Sequence, residues 1–289
     1  MGLSDDQLDD LRRHGFAVAC RMLGTVADAE DVVQDALLRL TRTDPAPDEP
    51  AAWVTTVVTR RAIDVLRSAR VRRETYVGPW LPEPLLEDPA PGPAERTALA
   101  DSLSQALLVA LERLSPAERA AFLLREAFAY DYPRIAAILD RNEPACRQLV
   151  TRARKHLEAA RPRFDADEAA HDRLLARFVA AAEEGDLDEL EALLHDDAVL
   201  YSDGGGKALA AKRPILGAAR VARFMAGVAR RRREHGIEPD AERVRVNGRP
   251  GHLRRHEDGR PATVLTIDVV DGRIAAVLIQ RNPDKLAHL

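Results

Sequence analysis

Six prolines, Pro79, Pro82, Pro84, Pro89, Pro91 and Pro93, fall within 15 residues of this chain. Proline fixes φ and has no amide proton to donate, so the stretch cannot be helical and reads as a stiff, extended tether. What folds before it is separate from what folds after it. The chain's 289 residues leave room for two or three such bodies. A shorter break, DPAPDEP at 44–50, interrupts the first body, and Arg161-Pro162 marks a further boundary before DADEAAHD begins a fresh helical pattern.

Between these breaks the apolar residues up to position 160 recur at helical spacing. From 168 the pattern changes. Two helices, at about 168–184 and 186–194, precede a short strand, AVLYSD, and another helix covers about 215–233. The tail turns to period two in TVLTIDVV and RIAAVLIQ, with Asp271-Gly272 between them, a strong hairpin signal. The expected architecture is therefore multidomain. Two all-α domains occupy 1–75 and 99–162, a proline-rich linker lies at 76–98, and an α+β domain occupies 168–289.

Acidic residues outnumber basic ones 47 to 43, which excludes a uniformly basic nucleic-acid coat. Charge is nevertheless segregated. Residues 1–49 carry 11 acids against 5 bases, 60–73 hold six arginines against Asp64, and 141–163 hold seven bases against Glu143 and Glu158. An acidic head and two basic segments point to several macromolecular contacts. Aromatics make up 4%, little material for stacking platforms. Cys20 and Cys146 lack metal-ligand spacing and read as small buried hydrophobes; no metal or cofactor is expected. The acidic start MGLSDDQLDD has no apolar signal region, and no run approaches ~18 apolar residues, so a cytoplasmic protein without a membrane span is expected.

Residues 115–157 carry the clearest motif. Ser115-Pro116 with Glu118 is a helix start. A short helix follows at Tyr132–Leu139, then a tight turn, Asp140-Arg141-Asn142, whose asparagine can cap the next helix. In that helix Cys146, Leu149, Val150, Ala153 and Leu157 form an apolar stripe, while Arg147, Gln148, Thr151, Arg152 and Lys155 face the other way. This is the layout of a recognition helix, with long donors able to reach base edges and phosphates in a major groove. The alternative is an amphipathic helix with a solvated basic face.

The first domain holds a second pair of signals. In helix 28–40, Ala29, Val32, Val33, Ala36, Leu37 and Leu40 face inward; Glu30, Asp31, Gln34 and Asp35 face out. In the following tryptophan-led helix, Trp53, Val54, Val57, Val58, Val65 and Ala69 form the expected buried stripe. Arg60, Ile63, Arg67 and Arg70, with Arg61 beside them, are set on the far side, where arginines can track a phosphate backbone.

GTVADAEDVVQDALLRL, AAWVTTVVTRRAIDVLRSARVRR and the SPAERAAFLLRE…YPRIAAIL…RQLVTRARKHL block, in this order, resemble the bacterial extracytoplasmic-function sigma factors across residues 1–160. The resemblance implies that the chain directs RNA polymerase to promoters. The first domain would melt and read the −10 element through Arg60, Arg61, Ile63, Arg67 and Arg70. The face carrying Asp28, Glu30, Asp31, Gln34, Asp35 and Arg39 would bind the clamp helices of the polymerase β′ subunit. The helix-turn-helix would read the −35 element and touch the β flap, and the loop at 42–52 would capture a flipped base. Members often carry asparagine where this chain has Arg60, which leaves base choice at −10 open.

The remaining 120 or so residues resemble SnoaL-like domains, α+β cones around a cavity. Three strings, Trp80-Leu81-Pro82-Glu83-Pro84, Asp203-Gly204-Gly205-Gly206-Lys207 and Asn282-Pro283-Asp284-Lys285-Leu286, resemble the sigma-factor subgroup with such a domain fused in cis. WLPEP is expected to pack against the C-terminal domain, so that the tether reports that domain's state to the promoter-binding domains. Lys207 is expected to meet a carboxylate, with Glu83 one candidate. The competing reading is a helix-turn-helix regulator whose C-terminal domain senses a ligand or acts as a cyclase or hydrolase through His195, Asp196, Asp197, Tyr201 or Asp203.

Overall fold

A computed structural model describes residues 4–73, 76–86, 105–158, 168–236 and 241–289. The prolines at 89, 91 and 93 and the Arg161-Pro162 break lie outside the described residues. The chain divides into two compact units: residues 1–75 with 110–161, and 76–109 with 162–289.

In the first unit, helices α1 (Asp5–Leu23), α2 (Val26–Arg42) and α3 (Pro50–Arg73) form a bundle. Ser4 and Gln7 make a reciprocal capping box at the start of α1, and Gly24, at φ 71°, ends it. The six inward residues expected for α2 are all buried. In α3 the stripe is rotated from the expected one. Val54, Thr55, Val58, Thr59, Ala62, Ile63 and Leu66 are buried, whereas Trp53, Val57 and Val65 are half-buried. Ile63, expected beside the arginines, is only 8% exposed, because positions 59, 63 and 66 follow one helical ridge into the bundle.

Helix α4 (Gln105–Leu111) leads to α5 (Pro116–Glu126), α6 (Tyr132–Leu139) and α7 (Glu143–Glu158). Ser115 and Glu118 cap α5 as a box, Asp131 caps α6, and the Asn142 side chain accepts from the Ala145 amide at 2.9 Å to open α7. Asp140, at φ 52°, turns the chain between α6 and α7. Their shared core contains Ala121, Leu124, Ile135, Ile138, Cys146, Leu149 and Val150.

The second unit packs α8 (Glu168–Glu184), α9 (Leu187–Leu193) and α10 (Ala218–Glu234) on one face of a six-stranded sheet. The strands are β1 (Leu194–Asp203), β2 (Ile215–Leu216), β3 (Glu242–Val246), β4 (Arg249–Arg255), β5 (Pro261–Val270) and β6 (Arg273–Gln280), in the order β2-β1-β6-β5-β4-β3. Among the described strands only β1–β6 pairs parallel. Asp271 and Gly272, at φ 51° and 75°, make the expected hairpin between β5 and β6. A second hairpin, β3–β4, turns on Asn247-Gly248 and was not among the elements expected from periodicity. Side chains alternate across the sheet. Ile267, Val269, Ile274 and Val277 meet the helices, while Val246, Leu253 and Val264 form a small core on the other face with Leu286 and, from the linker, Leu86.

Candidate nucleic-acid interface and linker-docking site

On α7 the five residues expected to face away from the apolar stripe do so. Arg147, Gln148, Thr151, Arg152 and Lys155 are all exposed, and the first four line a shallow depression. Arg147 is held by Glu143 at 3.4 Å and lies 4.1 Å over the Tyr132 ring, so α6 orients a donor on α7.

On α2, Glu30, Asp31, Gln34 and Arg39 are exposed. Asp28 is half-buried and accepts from the Thr25 hydroxyl at 2.7 Å. Asp35 holds two arginines, Arg39 at 2.9 Å and Arg61 at 3.1 Å, which ties Arg61 to α2.

Arg60 has a different neighbourhood from the open row expected. Its Nε donates to the Ile138 carbonyl at 2.8 Å and its Nη2 to the Ala137 carbonyl at 3.0 Å. A cation thus sits on the last carbonyls of α6, at the negative end of that helix. Thr55 Oγ1 and Tyr130 Oη are 3.2 Å apart, and the buried Arg119 donates to the Met22 carbonyl at 2.8 Å. The two helical modules are therefore clasped within one unit. Arg67 pairs with Asp64 at 3.3 Å; the Arg70 side chain lies outside the described residues.

The strings WLPEP, DGGGK and NPDKL converge. Asp203, fully buried at the end of β1, is their hub. Its Oδ1 accepts from Tyr76 Oη at 2.6 Å and from the Gly205 amide at 3.0 Å. Its Oδ2 accepts from the Leu81 amide at 2.8 Å and from Lys285 Nζ at 2.7 Å. Lys285 also donates to the Leu81 carbonyl at 2.6 Å and sits 4.1 Å over Trp80 and 4.8 Å over Tyr76. A lysine and an aspartate this deeply buried are tolerable because each finds charge and hydrogen bonds in the other's surroundings. Burial and the bond to Asp203 push the Tyr76 hydroxyl pKa up, so it stays protonated as a donor.

Leu81 is fully buried, and Pro82 and Pro84 are buried beside it. Asn282 donates to Tyr76 Oη at 2.9 Å and caps the short 3₁₀ turn Pro283–Lys285 through the Asp284 amide. Farther along, Leu85 and Asn247 exchange two hydrogen bonds, and Leu86 bridges Val246 on the edge strand. Lys207 pairs with Asp284 at 2.6 Å, not with Glu83: residues 204–208 close a tight turn that aims the lysine at the 3₁₀ turn. Tyr76, Asn247 and Gln280, whose Nε2 donates to the Leu81 and Pro82 carbonyls at 3.4 Å, belong to this dock and were not singled out from sequence. Tyr76 lies just upstream of WLPEP and Gln280 just upstream of NPDKL, while Asn247 sits in the overlooked Asn-Gly hairpin.

The residues weighed as an acid–base set do not assemble into one. Asp196 and Asp197 are exposed, His195 Nδ1 accepts from the Asp197 amide at 3.3 Å, Tyr201 is half-buried, and both Asp203 oxygens are taken by the dock. No helix among the described residues is long and apolar enough to cross a membrane.

Comparison with known proteins yields consistent similarities. Residues 8–72 match the family described as Sigma-70 region 2, and residues 104–157 match Sigma-70, region 4. The chain is 39% identical to the ECF RNA polymerase sigma factor SigJ of Mycobacterium tuberculosis, over 96% of this chain and 92% of that protein. It is 36% identical to the probable ECF RNA polymerase sigma factor SigI of the same species, over 61% of this chain and 62% of that one. The crystal structure of Mycobacterium tuberculosis SigJ superposes with a TM-score of 0.81 at 38% identity, covering 98% of both chains.

Proposed function

Because this chain belongs to the extracytoplasmic-function RNA polymerase sigma factors, we propose that its C-terminal domain sets their activity in cis by holding or releasing the WLPEP tether. The observation that carries this is the Asp203–Lys285 hub, which grips the Leu81 backbone from both sides at 2.8 and 2.6 Å. A tether so held shortens the free run of chain between the two promoter-binding modules. Gln148, Arg147, Thr151, Arg152 and Lys155 read the −35 element; Arg60, Arg61, Arg67 and Arg70 hold the −10 region. Glu30, Asp31, Gln34, Asp35 and Arg39, with Asp28 bracing the helix start, dock on the β′ clamp helices, and the helix-turn-helix meets the β flap. Exposure of the α7 donors and of Glu30 and Asp31 supports these roles. For Arg60, DNA contact requires first letting go of α6.

Run-off transcription with core polymerase tests the proposal. Asp31→Arg is expected to abolish core binding. Gln148→Ala should relax −35 preference by about 1–3 kcal/mol at one base pair. Asp203→Asn should change transcript yield while leaving core affinity intact. Equal yields from Asp203→Asn and the parent chain on every promoter would refute control through the tether.

A further inference from the structure

Helix α10 carries a charged face that the sigma-factor reading leaves unused. Its 17 residues hold six arginines against Glu234, a net of +5, equal to each of the two basic segments in the helical domains. Val221, Ala222, Met225 and Ala229 are buried against the sheet. Arg220, Arg223, Arg230 and Arg231 lie on the opposite arc and are exposed. The nearby acids leave most of this charge standing. Glu183 takes Arg232, which turns inward at 2.6 Å, and Glu234 meets Arg230 at 3.7 Å. Among the described residues no carboxylate pairs with Arg220, Arg223 or Arg231.

Gly227 sits in the middle of this arc, and a Cβ built there would meet nothing within 4 Å. The helix surface is therefore low at its centre and flanked by guanidinium groups at both ends. From Arg220 to Arg231 the face runs about 16 Å, at 1.5 Å per residue. Duplex DNA carries one charge per about 1.7 Å of axis, so a duplex laid along it meets several phosphates at once. Arginine also donates in a planar fork that suits phosphate oxygens.

We propose that this face of α10 binds the phosphate backbone of double-stranded promoter DNA, without reading sequence, as a third DNA contact of the chain. The inference rests on the sigma-factor reading for the presence of DNA, and on the α10 charge for the contact. A long rod of uniform negative charge fits the row better than an acidic peptide does, because the arginines run the length of the helix while Val228, at 36%, is the one large apolar side chain exposed among its described residues.

The test uses the full chain bound to core polymerase on a long promoter duplex, with affinity measured across a salt series. The double substitution R223E/R231E should weaken binding at least tenfold and lower the slope of log K against log salt by about 2, at about 0.9 per phosphate. R223K/R231K should keep the slope. R260E/R273E, the same charge change on exposed hairpin positions of the sheet, should leave it near the parent value. An unchanged slope for R223E/R231E overturns the proposal. So does a loss of core-polymerase affinity without DNA, which would give the face to a protein partner. If the parent chain itself failed to bind promoter with core, the sigma-factor reading would fall instead, a result separate from either.

Discussion

The Leu81 amide and the Asp203 carboxylate lie 122 residues apart in sequence and 2.8 Å apart in space. No regular secondary structure joins them. A proline-bounded strand can present its amide this way because Pro79 and Pro82 have fixed φ angles, Pro82 holds Leu81 extended, and Pro82 has no amide proton of its own to satisfy. Lys285 closes the arrangement from the other side by donating to both the Leu81 carbonyl and Asp203.

Removing one charge of this pair strands the other. Lys285→Met leaves a carboxylate buried without its cation, and Asp203→Asn leaves a buried ammonium; each should cost about 3–5 kcal/mol of local stability. The double variant should recover part of that loss. Denaturant unfolding of the full chain in a Trp53→Phe background, read by Trp80 fluorescence, checks this, since Trp80 sits 4.1 Å from Lys285. Additive single losses would mean the two residues do not act as a pair.

Gly205→Ala attacks the same dock from its backbone. Gly205 has φ +58°, and an added Cβ would come 2.3 Å from Asn282 Nδ2. Asn282 would have to abandon Tyr76, so limited proteolysis should cut within 76–86 several-fold faster. Gly259→Ala serves as control: its φ of +83° is equally strained, but a Cβ there meets nothing. Equal proteolysis of both variants would tie the effect to strain alone.

The helical half was legible because its signals are local. The period of α2 and α7 sorts burial from exposure, and Ser115 and Asn142 mark helix starts by chemistry that acts over three residues. The β3–β4 hairpin was harder. ERVRV alternates charge with valine on an edge strand half open to water, so its period is faint, although Asn247-Gly248 announces the turn. Ile63 was misplaced because it lies three residues from Arg60 and four from Arg67, but equally four from Thr59 and three from Leu66, so spacing alone sets it on the border of two faces. The partners of Lys207 and Arg60 depend on how separate elements pack, which spacing does not encode. Lys285 was visible as part of NPDKL, yet its burial follows only from the aspartate that meets it.

Arg60→Ala should loosen the clasp between the two helical modules before any DNA is present. Two charge-assisted bonds to carbonyls vanish, about 1–3 kcal/mol at a partly solvated site. Hydrogen exchange should accelerate at the end of α6, where the Arg141 amide bonds the Ala136 carbonyl at 3.0 Å. Unchanged protection there would show that Arg60 does not hold α6.

Acid should act on the second unit through the buried His171 and the half-buried Asp268, in opposite senses. Burial, with Arg249 nearby, lowers His171 from 6.5 to about 4, and among the described residues its Nε2 has no hydrogen-bond partner. Between those values the unfolded chain takes up a proton that the folded one refuses, so stability falls as pH drops through this window, by up to about 3 kcal/mol. Burial raises Asp268 from 3.8 to about 6 against the partial opposition of Arg249. There the folded chain holds the extra proton, so stability falls as pH rises from about 4 to about 6. The two effects offset one another in the parent chain. Relative to it, His171→Gln should lose less stability between pH 6.5 and 4.5, and Asp268→Asn should lose more. Calorimetric melts at half-unit steps measure both slopes; variants that shift the pH dependence in the same direction would contradict this assignment.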